Sequence, residues 1–139
     1  MAKKNFVDTS AWISFLGSDQ PRHTNIKNLI KRFIKDRVTI CTSNDVIDAT
    51  TTRLIYDTNI KIAERFINLI KEGIKSHSFV QLWVDEEIQN EAFELIQKFS
   101  EHKLSLTDAT TIVLAKRFNI ESIISLDSDF KKVGLRVLP

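Results

Sequence analysis

The chain has 139 residues, of which 42% are hydrophobic, and it contains only 3 glycines and 2 prolines. This length and composition predict a single domain over residues 1–139 and exclude collagen-like, linker-rich and disordered classes. With 20 basic and 18 acidic residues the net charge is +2, which suits a polyanionic partner without requiring one. The single cysteine, Cys41, excludes an intrachain disulfide and favours a reducing compartment.

The hydrophobic segments are too short for a membrane protein. The longest loosely apolar stretch covers residues 11–16, against the roughly 20 residues that a membrane-spanning helix needs. Near the N-terminus, Asp8 follows only two apolar residues, so no secretory signal is expected. We therefore predict a cytoplasmic protein with no membrane association.

Strands and helices alternate along the first half of the chain. A short strand at Phe6-Val7 leads into a helix over residues 11–16, which Thr9 or Ser10 can cap. The spacing of apolar residues then predicts a helix over His23–Lys35, a strand over 38–41, a helix from a Thr42 or Ser43 cap to about Tyr56, and a helix over Ile60–Lys75.

The same alternation continues to the end of the sequence. The predicted elements are a strand over residues 79–84, a helix capped by Asp85, a helix introduced by Ser105 and Thr107, and strands over 123–126 and 136–138 with Gly134 between them. Strands joined by helical crossovers form parallel sheets that are covered on both faces. The sequence thus predicts an α/β fold with a central parallel sheet of four to five short strands flanked by helices.

Three acidic residues occupy special places in this pattern. Asp8 follows the first strand, Asp127 follows the strand over 123–126, and Asp108 lies in the first turn of a helix. In an open parallel sheet these positions share one edge, where ligands bind. Each residue also has a purely structural interpretation: Asp8 as a cap, Asp108 at a helix N-terminus, and Asp127 with Asp129 in a turn.

If the three carboxylates meet, they need a cation. Crowded carboxylates raise one another's pKa unless a positive charge neutralises them. Oxygen ligands of this kind suit Mg²⁺ or Mn²⁺. The pattern therefore indicates a site for phosphodiester hydrolysis, in which a metal activates a water molecule.

At these residues the sequence resembles the PIN-domain ribonucleases, especially the toxin subunits of VapBC-type toxin–antitoxin pairs. The matching stretches are residues 6–12 (FVDTSAW), 104–110 (LSLTDAT), 124–130 (ISLDSDF) and 134–138 (GLRVL). The resemblance implies a PIN fold, dependence on Mg²⁺ or Mn²⁺, and endoribonuclease activity. It also implies an RNA substrate, neutralisation by a protein antitoxin and, commonly, a homodimer.

The resemblance also assigns roles to individual residues. Asp8, Asp108 and Asp127 match three acids of the family's catalytic metal site. Thr9 or Ser10 matches a supporting hydroxyl, and Asp129 matches a further acid of the last motif.

One position departs from the family pattern. The family usually has a glutamate early in the helix after the second strand, and in that register this chain has Ala49. The neighbouring Asp48 is an alternative replacement that helical periodicity alone does not exclude. Ala49 is either a deliberate inactivation of a toxic nuclease or a natural variant, and in both cases we expect this chain to be impaired.

Two other functions compete with the nuclease. The first is a PIN-like module that binds RNA or a protein partner without cutting. The second is a phosphotransfer domain, since these domains also place aspartates at strand ends. Against the second, the first strand is not followed by an Asp-x-Asp pair, and no aspartate ends the strand over residues 38–41.

Overall fold

The structure of the protein is a computed structural model that describes residues 3–139. The strands are β1 (Lys4–Val7), β2 (Thr39–Ser43), β3 (Phe79–Leu82), β4 (Ser122–Ile124) and β5 (Val137–Leu138). The helices are α1 (Thr9–Leu16), α2 (His23–Lys35), α3 (Asn44–Asp57), α4 (Ile60–Lys75), α5 (Glu86–Lys98), α6 (Leu106–Arg117) and α7 (Asp129–Lys132), with a 3₁₀ turn at Ser100–His102. The predicted α/β class is confirmed. Across these residues no helix combines the length and apolarity needed to cross a bilayer.

All five strands are parallel and lie in the order β3-β2-β1-β4-β5. The chain first adds β2 and β3 on one side of β1 and then adds β4 and β5 on the other. The direction of winding therefore reverses between β1 and β4. In open parallel sheets, ligands bind in the crevice outside the carboxyl ends of the strands at such a reversal.

The central strand β1 is covered on both faces. Its neighbouring residues Phe6 and Val7 point to opposite faces of the sheet, and both are fully buried. Burial on both faces is the reason that strands of parallel sheets are apolar at successive positions. The carboxyl end of β1 is consequently held in place from both sides.

Helix α1 is fixed by an aromatic cluster directly after β1. The fully buried ring of Trp12 packs edge-on against Phe66 of α4, at 5.7 Å between ring centroids, and against Phe79 of β3, at 5.3 Å. The Trp12 indole N–H donates to the hydroxyl of Thr42, at 3.3 Å. Because Trp12 lies one turn after Asp8, this packing also orients the start of α1.

Two strands end earlier than predicted. The strand expected over 79–84 ends at Leu82, because the backbone N–H of Val84 donates to the side chain of Asn44 (2.7 Å) rather than to a strand. The strand expected over 123–126 spans Ser122–Ile124, and Leu126 donates its N–H to the Ser10 hydroxyl at 2.9 Å. Side chains thus replace the strand-to-strand hydrogen bonds at the carboxyl ends of β3 and β4. The 3₁₀ turn and α7 were not predicted.

Candidate active site

Asp8 forms the centre of the hydrogen-bond network between β1 and β4. Its backbone N–H donates to the carbonyl of Ile124 (3.2 Å), and the residue is 8% exposed. Oxygen Oδ1 accepts from the Ser10 hydroxyl (2.8 Å) and from the N–H of Ala11 (3.2 Å), and Oδ2 accepts from the Ser125 hydroxyl (2.7 Å). The prediction that Thr9 or Ser10 caps α1 was wrong: Asp8 itself is the N-cap.

The two serine hydroxyls connect Asp8 to the segment after β4. The Ser125 hydroxyl accepts from the backbone N–H of Asp127 (2.9 Å), and the Ser10 hydroxyl accepts from that of Leu126 (2.9 Å). The two hydroxyl oxygens are 3.3 Å apart. Each serine therefore orients one oxygen of Asp8 and one peptide group of the following loop, which brings Asp8 and Asp127 to the same edge of the sheet.

Asp108 lies at the N-terminus of α6. The Ser105 hydroxyl accepts from the N–H of Asp108 (3.0 Å), and Oδ2 of Asp108 accepts from the N–H of Ser105 (3.3 Å). This reciprocal pair is a capping box, so the structural role that the sequence offered for Asp108 is real. The capping role does not exclude a second one, because Oδ1 takes no part in these bonds.

The pKa values of buried Asp8 and half-buried Asp108 show that the two carboxyl groups interact. Burial raises the pKa of Asp8 from 3.8 to about 6, against the opposing hydrogen bonds from Ser125 and Ser10, and the charge of Asp108 raises it further. Burial also raises the pKa of Asp108, and the charges of Asp127 and Asp129 add to the effect. Asp8 therefore lies within electrostatic reach of Asp108, and Asp108 within reach of Asp127 and Asp129, and a nearby cation would favour the ionised forms of Asp8 and Asp108.

Asp127 and Asp129 occupy a turn between β4 and α7. Oxygen Oδ1 of Asp127 accepts from the N–H of Asp129 at 2.9 Å, which is the turn geometry considered from the sequence. Asp127 is half-buried, whereas Asp129 is exposed and pairs with Lys132 at 3.1 Å. Of the two, Asp127 is the more buried, and its backbone N–H bonds to Ser125 of the Asp8 network.

Ala49 lies on the face of α3 that is turned to α6. Asp45 lies on this face, since its carboxylate accepts a hydrogen bond from the Thr110 hydroxyl of α6 at 2.9 Å. Ala49 comes one helical turn after Asp45 and so projects from the same side, and it is half-buried. Asp48 is exposed to solvent. Both residues follow Asp45 by about one turn, and of the two Ala49 is the one that is partly buried on this side of α3.

The predicted supporting residues differ in what they contact. Ser10 donates directly to Asp8, whereas the Thr9 hydroxyl accepts from buried Thr50 of α3 at 3.2 Å and joins α1 to α3. Sequence reasoning missed Ser125, which it placed inside a strand. A signal was available: a serine two positions before an aspartate can accept the aspartate's N–H, as Ser125 does for Asp127.

The donor set suits a hard divalent cation, but the side chains are not yet arranged around one. Asp8, Asp108 and Asp127 offer carboxylate oxygens, the ligands that Mg²⁺ and Mn²⁺ prefer. As they stand in residues 3–139, no three acidic, histidine or cysteine side chains are grouped to hold a metal ion together. One oxygen of Asp108 accepts from the N–H of Ser105, and one oxygen of Asp127 accepts from the N–H of Asp129.

Comparison with known proteins identifies relatives over almost the whole chain. The chain is 26% identical over 130 residues to the 23S rRNA-specific endonuclease VapC20 of Mycobacterium tuberculosis, an alignment that covers 93% of each chain. The crystal structure of that sarcin-ricin loop cleaving toxin superposes with a TM-score of 0.79 at 23% identity, over 94% of this chain and 95% of the other.

Two further solved structures share the fold. VapBC2 from Rickettsia felis, bound to a DNA fragment from its promoter, gives a TM-score of 0.71 at 12% identity and covers 97% of both chains. PAE2754 from Pyrobaculum aerophilum gives 0.67 at 17% identity, over 99% of this chain and 84% of the other. The sequence model of the PIN domain matches residues 6–135. The chain therefore belongs to the PIN domain family.

Proposed function

We propose that this protein is a metal-dependent endoribonuclease that acts as the toxin of a toxin–antitoxin pair. Support for the proposal comes from the winding reversal of the sheet, where the charge of Asp108 acts on Asp8, that of Asp127 acts on Asp108, and Ser125 links Asp8 to the N–H of Asp127. Similarity to an rRNA-specific endonuclease over 93% of the chain supports the same activity. The family membership disfavours the phosphotransfer alternative.

The three carboxylates would hold Mg²⁺ or Mn²⁺, with Asp8 as the fixed member of the set. Asp8 is held by hydrogen bonds from Ser10, Ser125 and the N–H of Ala11, which fix the position of both its oxygens. A bound divalent cation supplies activation of a water molecule and neutralisation of charge on the scissile phosphate. The protein's own contribution is to orient Asp8 and to keep this edge of the sheet negative until a cation enters.

The proposal includes partners and a location. RNA is the substrate, and a protein antitoxin neutralises the enzyme; the VapBC2 complex of Rickettsia felis, which matches this fold, supports such a partner. We also propose that the protein forms a homodimer and works in the cytoplasm, where RNA is available.

A first experiment tests the activity and its metal requirement. Purified protein is incubated with total RNA, so that cuts in rRNA, tRNA and mRNA are all scored, with Mg²⁺, with Mn²⁺ and with EDTA. Asp8→Asn and Asp108→Asn should abolish cleavage, and the exposed Asp48→Asn should not. Cleavage that survives in EDTA contradicts the metal role, and cleavage by the Asp8→Asn and Asp108→Asn variants at the rate of the unmodified chain contradicts the role of these two carboxylates.

A second experiment tests the consequence of Ala49. Because Ala49 faces α6 and brings no carboxylate, we propose that cation binding and cleavage are weakened in this chain. Ala49→Glu should restore one oxygen ligand, strengthen Mn²⁺ binding measured by calorimetry, and raise the cleavage rate. Ala49→Gln, which has the same size without the charge, should do neither. If Ala49→Glu leaves both quantities unchanged, the impairment hypothesis is wrong.

A binding function without cleavage is the second candidate, and Ala49 is the observation that favours it. A PIN domain that lacks one acid could still bind RNA through its basic residues, with an affinity that falls as salt rises. The nuclease and the binding module predict different results in the RNA cleavage assay described above. Salt-dependent RNA binding, together with no cleavage by either the unmodified chain or the Ala49→Glu variant, would favour the binding module.

A further inference from the structure

The first half of α3 is hydrogen-bonded to a residue next to Asp8. The hydroxyl of buried Thr50 donates to that of Thr9, the residue directly after Asp8, at 3.2 Å. Asp8 and Asp108 interact with each other, since the charge of Asp108 raises the pKa of Asp8. This part of α3 therefore lies beside the candidate site, although Ala49 brings no carboxylate to it.

Asp45 is the acidic residue of α3 that contacts the helix of Asp108. Its Oδ2 accepts from the hydroxyl of Thr110 at 2.9 Å, and Thr110 follows Asp108 by two residues, or about 3 Å along the axis of α6. Asp45 is half-buried, and within residues 3–139 no lysine, arginine or histidine forms an ion pair with it. A carboxylate that is partly removed from water and has no basic partner favours the approach of a cation.

The hydrogen bond from Thr110 leaves Asp45 free to bind a cation. A hydroxyl group has one proton to donate, and the Thr110 oxygen is also 3.0 Å from the carbonyl oxygen of Thr107 in its own helix. When a cation binds Asp45, Thr110 can donate to that carbonyl instead, so no buried donor is left without a partner. The exchange of Thr110 for a cation therefore costs Asp45 little in hydrogen bonding.

Asp45 also lies where a longer side chain at position 49 would reach. Side chains on a helix lean towards its N-terminus, so each one covers the surface above the preceding turn. Residue 45 belongs to that preceding turn, four positions before Ala49 and on the same side of α3. A glutamate at position 49 would thus place its carboxylate close to that of Asp45.

We propose that Asp45 supplies the carboxylate ligand from α3 that Ala49 does not provide to the Mg²⁺ or Mn²⁺ site. The inference rests on the metal-dependent function proposed above and adds a fourth carboxylate to those of Asp8, Asp108 and Asp127. Carboxylate oxygens are the ligands that these cations prefer. Because aspartate is one methylene shorter than glutamate, Asp45 replaces the missing residue only in part, and Ala49→Glu still strengthens cation binding.

The first test measures Mn²⁺ binding by calorimetry and, separately, the free energy of unfolding in EDTA. Asp45→Asn keeps the side-chain shape and an acceptor for Thr110 but removes the charge, so Mn²⁺ should bind about tenfold to hundredfold more weakly. Asp48→Asn is the matched control, because it removes an exposed carboxylate from the same helix. Equal Mn²⁺ affinities of the two variants overturn the proposal. In that case a loss of stability in Asp45→Asn identifies a contact that only joins α3 to α6.

A second test asks whether positions 45 and 49 serve the same place. Ala49→Glu should strengthen Mn²⁺ binding more in the Asp45→Asn variant than in the unmodified chain, because there the new carboxylate replaces one that is missing. Equal gains in the two backgrounds contradict the proposal.

Asp8→Asn separates this inference from the proposed function. If Asp8→Asn abolishes Mn²⁺ binding and Asp45→Asn leaves it intact, Asp45 is not a ligand and the metal-dependent function stands. If the unmodified chain binds no Mn²⁺, both the role of Asp45 and the metal dependence are wrong. Loss of binding in Asp8→Asn together with weakened binding in Asp45→Asn supports both.

Discussion

The buried carboxyl group of Asp8 should make the protein more stable in mild acid than at neutral pH. The perturbation that isolates this effect is Asp8→Asn, which keeps the side-chain shape and removes the titrating group. Burial holds the pKa of Asp8 at about 6 in the folded chain, against 3.8 for the unperturbed group. Ser125, Ser10 and the N–H of Ala11 donate to the carboxylate and only partly offset this burial.

The sign and size of this pH effect on the free energy of unfolding follow from proton linkage. Between the two pKa values the folded chain binds more protons at Asp8 than the unfolded chain does, so the free energy of unfolding falls as pH rises through this window. A pKa difference of about 2 corresponds to about 3 kcal/mol, all of it lost above the folded-state pKa. The Asp8→Asn variant has no titrating group at position 8, so its free energy of unfolding should lack this part of the pH dependence.

Urea unfolding in metal-free buffer with EDTA, from about pH 4 to about pH 8, measures the effect. The free energy of unfolding of Asp8→Asn, relative to wild type, should rise by about 3 kcal/mol across that range. Asp48→Asn, which removes an exposed carboxylate, controls for the change in net charge. If the curves for wild type and Asp8→Asn run parallel, burial does not raise the pKa of Asp8 and the electrostatic account of the site is wrong.

Two further substitutions test contacts around this site and in the core. Ser125→Ala leaves Oδ2 of Asp8 and the N–H of Asp127 without their shared partner, so we expect a loss of about 1–3 kcal/mol in urea unfolding, largely recovered by Ser125→Thr. Gly73→Ala drives a methyl group into the ring of Phe79, so the melting temperature should fall by the equivalent of about 1–3 kcal/mol; an unchanged melting temperature would show that the ring moves aside freely.

The sequence predicted the architecture well because alternating apolar segments are a local signal. The helices His23–Lys35 and Ile60–Lys75 were predicted with the bounds that the structure has, since a strong 3.6-residue repeat marks their buried faces. The predicted ends of the strands were less accurate than those of these helices, because side chains distant in sequence determine where the strands end. At the end of β4 the N–H of Leu126 donates to the hydroxyl of Ser10, which is 116 residues away in the sequence. No local sequence pattern predicts that contact.

The candidate site residues were inferred from the expected topology, without their hydrogen-bond partners. Topology alone indicated that Asp8, Asp108 and Asp127 share an edge, because strand ends and helix starts converge there. The sequence offered a cap for Asp8, a helix N-terminus for Asp108 and a turn for Asp127 as alternatives to a site, and the structure has all three of these local roles. Ser125 was missed for the same reason as the end of β4: its partner Asp8 lies 117 residues away.

The position of β1 in the sheet has a consequence for synthesis of the protein. β1, β2 and β3 are translated before β4, yet β1 lies between β2 and β4. During translation β1 is therefore an open edge, and Asp8 has neither Ser125 nor Asp127 beside it. The arrangement of acids around Asp8 is thus completed only after the fourth strand has been translated.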